Sequence, residues 1–293
     1  MSSLAPHGGE VLGATPGHPL LIPALSRSLA LSMSRQVKLL IDSGIRFSPA
    51  RLFSNGEQGA WYDPSDLTTL FQDSAGTTPV TADGQTVGKV LDKSGRGNHA
   101  TAPSDAARPL YKTDGTYHWL QFDGVDDALV TAAIDFTATD KMTVWAGMRK
   151  IAEMGLLDVA LECGDMFGST TGAFSLLAKA NGSPGNAAFG SRGTADKYAI
   201  KAFPVGSTAV LTGISSINPP SIILRVNAVS GTENTASQGG GTYPNSIMAI
   251  GRRMGLYYYM NCNLHSLIVR GALSTTQEII DTETWVNGKT GAF

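Results

Sequence analysis

Charge is scarce in this 293-residue chain: Asp, Glu, Lys and Arg together make up 16%, against about 25% in ordinary globular domains. The balance is −2 at neutral pH. No basic field therefore points to nucleic acid or to insertion at an anionic membrane. Cysteine is almost missing. Cys163 and Cys262 are too few for a disulfide framework and have no metal-ligand neighbour at CxxC or CxxH spacing. They read as two buried free thiols, with pairing open if their strands are neighbours. Long apolar runs are missing too. Residues 19–41 are fairly apolar, but Arg27, Arg35 and Lys38 interrupt them, and a membrane span needs about 20 mainly apolar residues. The N-terminus lacks the basic start, apolar core and small-residue cleavage site of a secretory signal. The expectation is a chain made in the cytoplasm, with no export signal of its own.

Chemical signatures are equally sparse. His7, His18, His99, His118 and His265 form no HxH or HxxxH pattern. There is no Gly-x-Ser-x-Gly elbow and no Gly-x-x-x-x-Gly-Lys-Ser/Thr phosphate loop. Gly239 to Gly241 lacks the strand–helix context a nucleotide would need, and reads as a flexible loop. Glycan hydrolysis requires two carboxyls about 5–5.5 Å or about 6.5–9.5 Å apart. The densest acidic strand offers Asp158 and Glu162 on one face, about 13 Å apart at about 3.3 Å per residue. Glu162 and Asp165 would face opposite ways. No catalytic residue is assigned.

What the chain does have is glycine, 34 residues of it, and 42% hydrophobic residues in many short runs. That combination indicates an all-β, turn-rich architecture. Its most informative stretch is Leu91 to Asp127. Asp92-Lys93-Ser94-Gly95-Arg96-Gly97-Asn98-His99 reads as a turn, with glycines and Asn98 tolerant of positive φ and Asp92 and Ser94 able to cap backbone groups. Trp119, Leu120 and Phe122 then form a strand entering a second turn at Asp123-Gly124-Val125-Asp126-Asp127. Asp123, Asp126 and Asp127 could supply oxygens to Ca²⁺, but they are also simple turn formers. No cofactor is required, and no metal residue is assigned.

Residues 1 to about 18 are rich in Gly, Pro, Ala and Ser and read as an extended arm. Ile22, Leu25, Leu29, Met33, Val37 and Leu40 follow at three- and four-residue steps, a helical stripe with Gly44 as its stop. Residues 1–45 are thus expected to be an arm and helix for attachment or oligomerisation, and residues 46–293 the β domain. Asp66 to Phe71 reads as a short capped helical turn, and Thr86 to Leu91 as a strand. Ten strand candidates follow, near 117–123, 128–133, 142–149, 156–163, 173–178, 186–190, 208–215, 221–229, 246–251 and 260–269. Met142, Val144, Ala146 and Met148 alternate with Thr143, Trp145, Gly147 and Arg149, and Ile222, Leu224, Val226 and Ala228 with Ile223, Arg225 and Asn227. Such alternation gives each strand one core face. A β-sandwich or jelly roll follows. A last helix is expected from Ser274 as cap, with Gln277 at capping-box spacing, to Gly288. Its Ile279, Ile280, Thr284 and Trp285 would cover one edge of the sandwich.

Recognition is a better candidate than catalysis. Arg252, Arg253, Tyr257, Tyr258 and Tyr259 gather guanidinium groups and aromatics beside a turn, the residue types favoured at binding surfaces. Tyr243 lies in one of two long polar loops, 179–199 and 230–246, that also suit recognition.

Several motifs in order carry a resemblance. They are Gly59-Ala60-Trp61-Tyr62-Asp63-Pro64-Ser65-Asp66-Leu67, Asp92 to Ala100, Leu120-Gln121-Phe122-Asp123-Gly124-Val125-Asp126-Asp127, Thr143-Val144-Trp145-Ala146, Leu224-Arg225-Val226-Asn227, Ile250-Gly251, and Leu273-Ser274 through Trp285-Val286-Asn287-Gly288-Lys289. With these the chain resembles the concanavalin A-like, laminin-G-type jelly rolls of phage and prophage virion proteins, over roughly Phe47 to Phe293. Trp61 through Val80 looks particularly like phage tail proteins. Ala228 stands where that family usually has glycine, so its hairpin is expected to turn differently. The resemblance implies a non-enzymatic virion protein of tail or baseplate, assembled in the host cytoplasm. It would bind other virion proteins and a host surface glycan or protein, as a homotrimer. It leaves open a capsid decoration or tail-stabilising protein, and a glycan depolymerase, because the fold hosts all of these.

Overall fold

The alternation around Trp145 becomes a strand of 12 residues, Lys141–Ala152, at the centre of the molecule. Met142, Val144, Ala146 and Met148 turn one way and are fully buried in the main core, while Trp145 turns the other way into a second apolar cluster. The computed structural model describes residues 47–255 and 258–293. The arm and helical stripe of residues 1–45, with Ile22, Leu25, Leu29, Met33, Val37 and Leu40, lie outside the described residues, as does Tyr257.

Two antiparallel sheets make the sandwich. The first has Val229–Ser230, Ser221–Val226, Thr208–Ser216, Lys141–Ala152, Asn261–Arg270, His118–Asp123 and Leu110–Thr113 side by side in that order, with Gly59–Tyr62 also pairing to Asn261–Arg270. The second runs Asp196–Ala202, Asn186–Arg192, Phe174–Lys179, Asp158–Cys163, Met248–Ile250, Leu129–Thr131, Ala100–Thr101, Lys89–Val90 and Leu70–Phe71. The chain is an all-β jelly-roll-like sandwich with one short C-terminal helix. Each of the ten expected strands coincides with one of these. Missed was the edge strand Asp196–Ala202, which turns much of the supposed loop 179–199 into a hairpin with Asn186–Arg192. Its two lysines and two small alanines hid it. Asp66 caps a 3-10 turn at Leu67–Thr69, as its spacing suggests.

Apolar side chains from the two inner faces, including Leu120, Phe122, Leu161, Phe174, Phe189, Leu224, Met248 and Leu267, form the core. Burial at about 25 cal/mol per Å² of apolar surface makes this the dominant stabilising term. Cys163 and Cys262 are buried there as free thiols, and burial pushes the Cys262 pKa up to about 12.

The Leu91–Asp127 stretch is a clasp. Asp92 Oδ1 accepts from Trp61 N (2.9 Å) and Ser94 N (2.8 Å); its Oδ2 accepts from Ser94 Oγ (2.6 Å) and Asn98 N (3.0 Å). Asn98 Nδ2 donates to Gly59 O at 2.7 Å, and His99 Nδ1 accepts from Asp92 N at 3.0 Å. One carboxylate thus organises its own turn and anchors the strand Gly59–Tyr62. Lys93 adds an ion pair to Asp66 at 2.6 Å and lies over the Trp61 ring.

The C-terminal helix, Thr276–Thr290, differs from its expected limits. Thr275, not Ser274, is the cap, in a reciprocal box with Glu278, and Gly291 in the left-handed region ends it. Gly288 lies inside. Ile279, Trp285 and Val286 pack against Trp145, Val210 and Ile268, so the helix covers part of a sheet face rather than an edge, and Ile280 is exposed. The hairpin after Val226 also corrects its expectation. Asn227 and Ala228 both take positive φ, 50° and 61°, and Val226 pairs with Val229, the pattern of a two-residue primed turn. Alanine here occupies a left-handed conformation that favours glycine.

Candidate functional site

The Arg252–Met260 segment does not present its residues together. Arg253 is buried against Glu162, with Nη2 2.9 Å from Oε2, and its guanidinium lies 5.4 Å from the Tyr258 ring centroid. Tyr258 is half-buried on an apolar cluster of Leu157, Val159, Leu177, Ala180 and Ala188. Arg252 and Tyr259 are half-buried. Tyr243 is in the core. Its hydroxyl lies 2.7 Å from both Ser191 Oγ and Ser215 Oγ, and burial raises its pKa to about 12. The structure brings Arg253 and Tyr258 together, as packing, and gives Tyr243 no access to solvent.

The acidic candidates are also engaged. Asp158 accepts from Met154 N and Gly155 N at 3.1 Å, and Glu162 holds Arg253. Pairing slips twice between Asp158 and Leu161, which breaks the simple parity that put Asp158 and Glu162 on one face. Asp123, Asp126 and Asp127 do cluster, with ligand atoms within 4.8 Å of one another. Turn amides use them: Asp123 Oδ1 accepts from Val125 N and Asp127 Oδ2 from Asp123 N. A groove of about 610 Å³ runs between the edge strand Asp196–Ala202 and residues 232–236. Two of its polar side chains are taken as well, since Glu233 accepts from Ser221 Oγ and Asn234 Nδ2 donates to Tyr198 O.

The best-formed site lies on the outer face of the first sheet, beyond the reach of the C-terminal helix. In Asn261–Arg270, Cys262 and Leu264 are buried in the core, which turns Asn261, Asn263 and His265 outward. In His118–Asp123, Leu120 and Phe122 are buried, which turns Trp119 and Gln121 outward. In Lys141–Ala152, Met148 and Lys150 are buried and Arg149 is exposed. Cross-strand register then aligns these side chains. Thr208, Arg149, Asn263, Gln121 and Leu110 are successive partners across five strands. Arg149 to Leu110 alone spans about 14 Å at about 4.8 Å per strand. In the adjoining row Trp119 pairs with Lys112, and the Trp119 and His265 rings lie 5.5 Å apart.

A bulge makes this possible. Register shifts between Leu264 and Ser266, so the polar stretch before it and Ile268 after it both face outward, one open and one under the helix. Gly147 sets the boundary. A Cβ there would lie 2.6 Å from Thr290 Cγ2 and 2.9 Å from Val286 Cγ1, so only glycine lets the helix end settle beside His265. His265 is 5% exposed and its Nδ1 has no partner among the described residues. Burial holds its pKa down to about 4, against the neighbouring Asp114 carboxylate, so the ring is neutral at ordinary pH. Trp119, Gln121 and Asn263 are half-buried and partly open to solvent.

Chemically the face offers one indole, two carboxamides and one guanidinium in a shallow row, and no nucleophile–base pair. Sequence reading missed it, although the signal was present. Trp119-Leu-Gln121 and Asn261-Cys-Asn263-Leu-His265 alternate polar or aromatic residues with core residues, and only tertiary register joins them.

No family model matches the chain, and a search of curated proteins finds no match. Solved structures do match. One is domain 4 of AbnA, a GH43 extracellular arabinanase from Geobacillus stearothermophilus, in complex with arabinotriose (TM-score 0.55, 11% identity, 78% of this chain and 98% of that one). The shared feature is the β-sandwich. A second is the botulinum neurotoxin serotype D ligand binding domain in complex with N-acetylneuraminic acid (TM-score 0.51, 9% identity, 68% of this chain and 48% of that one). A third is the binding domain of Paraclostridial Mosquitocidal Protein 1 (TM-score 0.52, 13% identity, 70% and 51%). This chain therefore spans about half the length of the two toxin chains. At such identities the likeness is one of fold.

Proposed function

We propose that this chain is a non-catalytic recognition protein that binds a surface glycan on the open face of its first sheet. The observation that carries the reading is the alignment of Trp119, Gln121 and Asn263 on that face. A sugar ring presents a C–H face that an indole covers and a rim of hydroxyls that carboxamides both donate to and accept from. Solved neighbours holding arabinotriose and N-acetylneuraminic acid on the same architecture support the ligand class.

The sequence resemblance to phage virion jelly rolls supports a finer reading. In it the domain is a tail or baseplate receptor-binding protein, homotrimeric, mounted through residues 1–45 and contacting the host cell surface. The first test is retention of the purified chain on an array of bacterial surface polysaccharides. Binding is expected, with loss of at least tenfold in affinity in Trp119→Ala at unchanged melting temperature. Absence of any retained glycan, or full binding by that variant, overturns the recognition reading. Cryo-electron microscopy of the virion tests the mounting, and density on the capsid shell instead of the tail rejects it.

A further inference from the structure

We propose that the open sheet face selects a carboxylate-bearing saccharide, with the acid group held by Arg149 and the sugar ring seated on Trp119. This rests on the glycan-binding reading above and names the ligand class of the same site.

The argument starts from the other cations of the sheet. Lys112 pairs with Asp83, Lys141 with Asp140, Lys150 with Glu153, Arg225 with Glu283, and Arg270 with Glu57 and Glu278. Arg149 is the cation on these strands with no carboxylate partner among the described residues, and it is exposed. It stands in mid-sheet, where its neighbours in register are Thr208 and Asn263. Asp123, the carboxylate carried by the neighbouring paired strands, lies two strands across and one row along, about 12 Å at the Cα positions from strand spacing and rise. Its Oδ1 accepts from Val125 N and Asp126 N in its own turn. Among the described residues the face therefore carries one cation without an ion-pair partner, since His265 beside it is neutral, Lys112 is paired, and the Asp114 carboxylate near His265 accepts from Thr116 N and Tyr117 N in its own turn.

A guanidinium presents a planar fork that matches a carboxylate in bidentate fashion, which an ammonium does not. Asn263 lies between Arg149 and the strand that carries Trp119 and Gln121, so both carboxamides are placed to hydrogen-bond the hydroxyls of a ring that bridges Arg149 and Trp119. Asn263 Oδ1 has no hydrogen-bond partner among the described residues. A hydroxyl donor from a ligand, after a small turn of the amide, satisfies it. A neutral sugar uses the indole and amides but leaves Arg149 idle. A bare anion uses Arg149 but leaves the indole idle. An acidic sugar engages both.

The test uses the full chain and uronic acid-containing bacterial polysaccharides, each before and after chemical reduction of its carboxyl groups to alcohols. Affinity is expected to fall at least tenfold on carboxyl reduction. Arg149→Gln should produce the same loss toward the acidic polymer and none toward the reduced one, and Arg149→Lys an intermediate loss. Raising salt from 50 to 500 mM should weaken only the acidic polymer. Equal binding of acidic and reduced polymers, with Arg149→Gln silent, overturns this inference and leaves glycan binding standing. Failure to retain either polymer, or any neutral glycan, overturns both. Arg149 is exposed, so the Gln variant keeps the fold, and an unchanged melting temperature verifies it.

Discussion

Glu162 and Arg253, 91 residues apart in sequence, meet under the outer surface of the second sheet, with Oε2 accepting from Nε and Nη2 at 2.9 Å. Glu162 is fully buried and Arg253 nearly so. Burial alone pushes the Glu162 pKa up, and the guanidinium holds it back. Removing one partner leaves a buried charge unmatched, which costs about 3–5 kcal/mol, whereas replacing both by apolar residues is often neutral. Arg253→Met is therefore expected to destabilise by about 3 kcal/mol or more, and Glu162→Met with Arg253→Met to recover most of that loss. Urea denaturation of the three proteins decides. A single variant costing under about 1 kcal/mol would show that the pair is not sealed from water.

Asp92 is the next most consequential carboxylate. It accepts four hydrogen bonds, two of them holding the backbone of Trp61 and Asn98. Charged hydrogen bonds contribute about 1.5–3 kcal/mol each, with strong overlap between neighbours. Asp92→Ala is expected to cost about 2–4 kcal/mol. Asp92→Asn should rescue little, because an amide turns one acceptor into a donor facing donors. Thermal unfolding of both variants checks this, and a near-native Asn variant would contradict it.

Ala228 sits at φ 61°, a conformation that costs an L-residue about 1–2 kcal/mol. Glycine adopts it freely but loses about 0.5–1 kcal/mol more entropy on folding. The balance favours Ala228→Gly by about 0.5 kcal/mol, seen as a rise in melting temperature of about 1–2 °C for a domain of this size. A lowered melting temperature would mean that the hairpin is not under this strain.

His265 links stability to pH. Its folded pKa is about 4, chiefly because burial disfavours the charged ring, and Arg149 adds to this while Asp114 opposes it. The unfolded value is about 6.5. Between these values the unfolded chain binds the extra proton. Its contribution is therefore complete above about pH 6.5, is lost as pH falls toward 4, and is flat below that. By pH 4.5 the loss is about 2–3 kcal/mol. His265→Gln should lack this component, so the stability difference between pH 7.5 and 4.5 shrinks by that amount relative to wild type. Parallel pH dependence in the two proteins would reject the assignment.

Much of the fold was readable from particular residues. Strict alternation in 142–149 and 221–226 identified strands with one buried face, and Gly, Asn and Asp clusters marked their ends. The Asp92–His99 turn was recognisable because its residue types do local chemistry. The cap at Thr275 was missed by one residue, since Ser274 with Gln277 offers the same spacing as Thr275 with Glu278. Reading Tyr243 and Arg253 as binding residues failed for a different reason. Tyr and Arg are equally suited to a surface and to a satisfied interior, and only the serines beside Tyr243 and the carboxylate beside Arg253 distinguish the two.

The sequence by itself determined the period of each strand, the places where the chain turns, and the apolar residues that must share a core. Those follow from local geometry and from hydrophobic burial, which act residue by residue. Tertiary structure decided which outward faces are covered. The C-terminal helix shields Trp145, Val210 and Ile268 but stops at Thr290, leaving Trp119, Gln121, Asn263 and Arg149 open beside it. Pairing register, set by contacts between strands far apart in the chain, aligned those side chains into one row. Period-two alternation states that a strand has two faces, but it carries no information about which layer, if any, lies over the second.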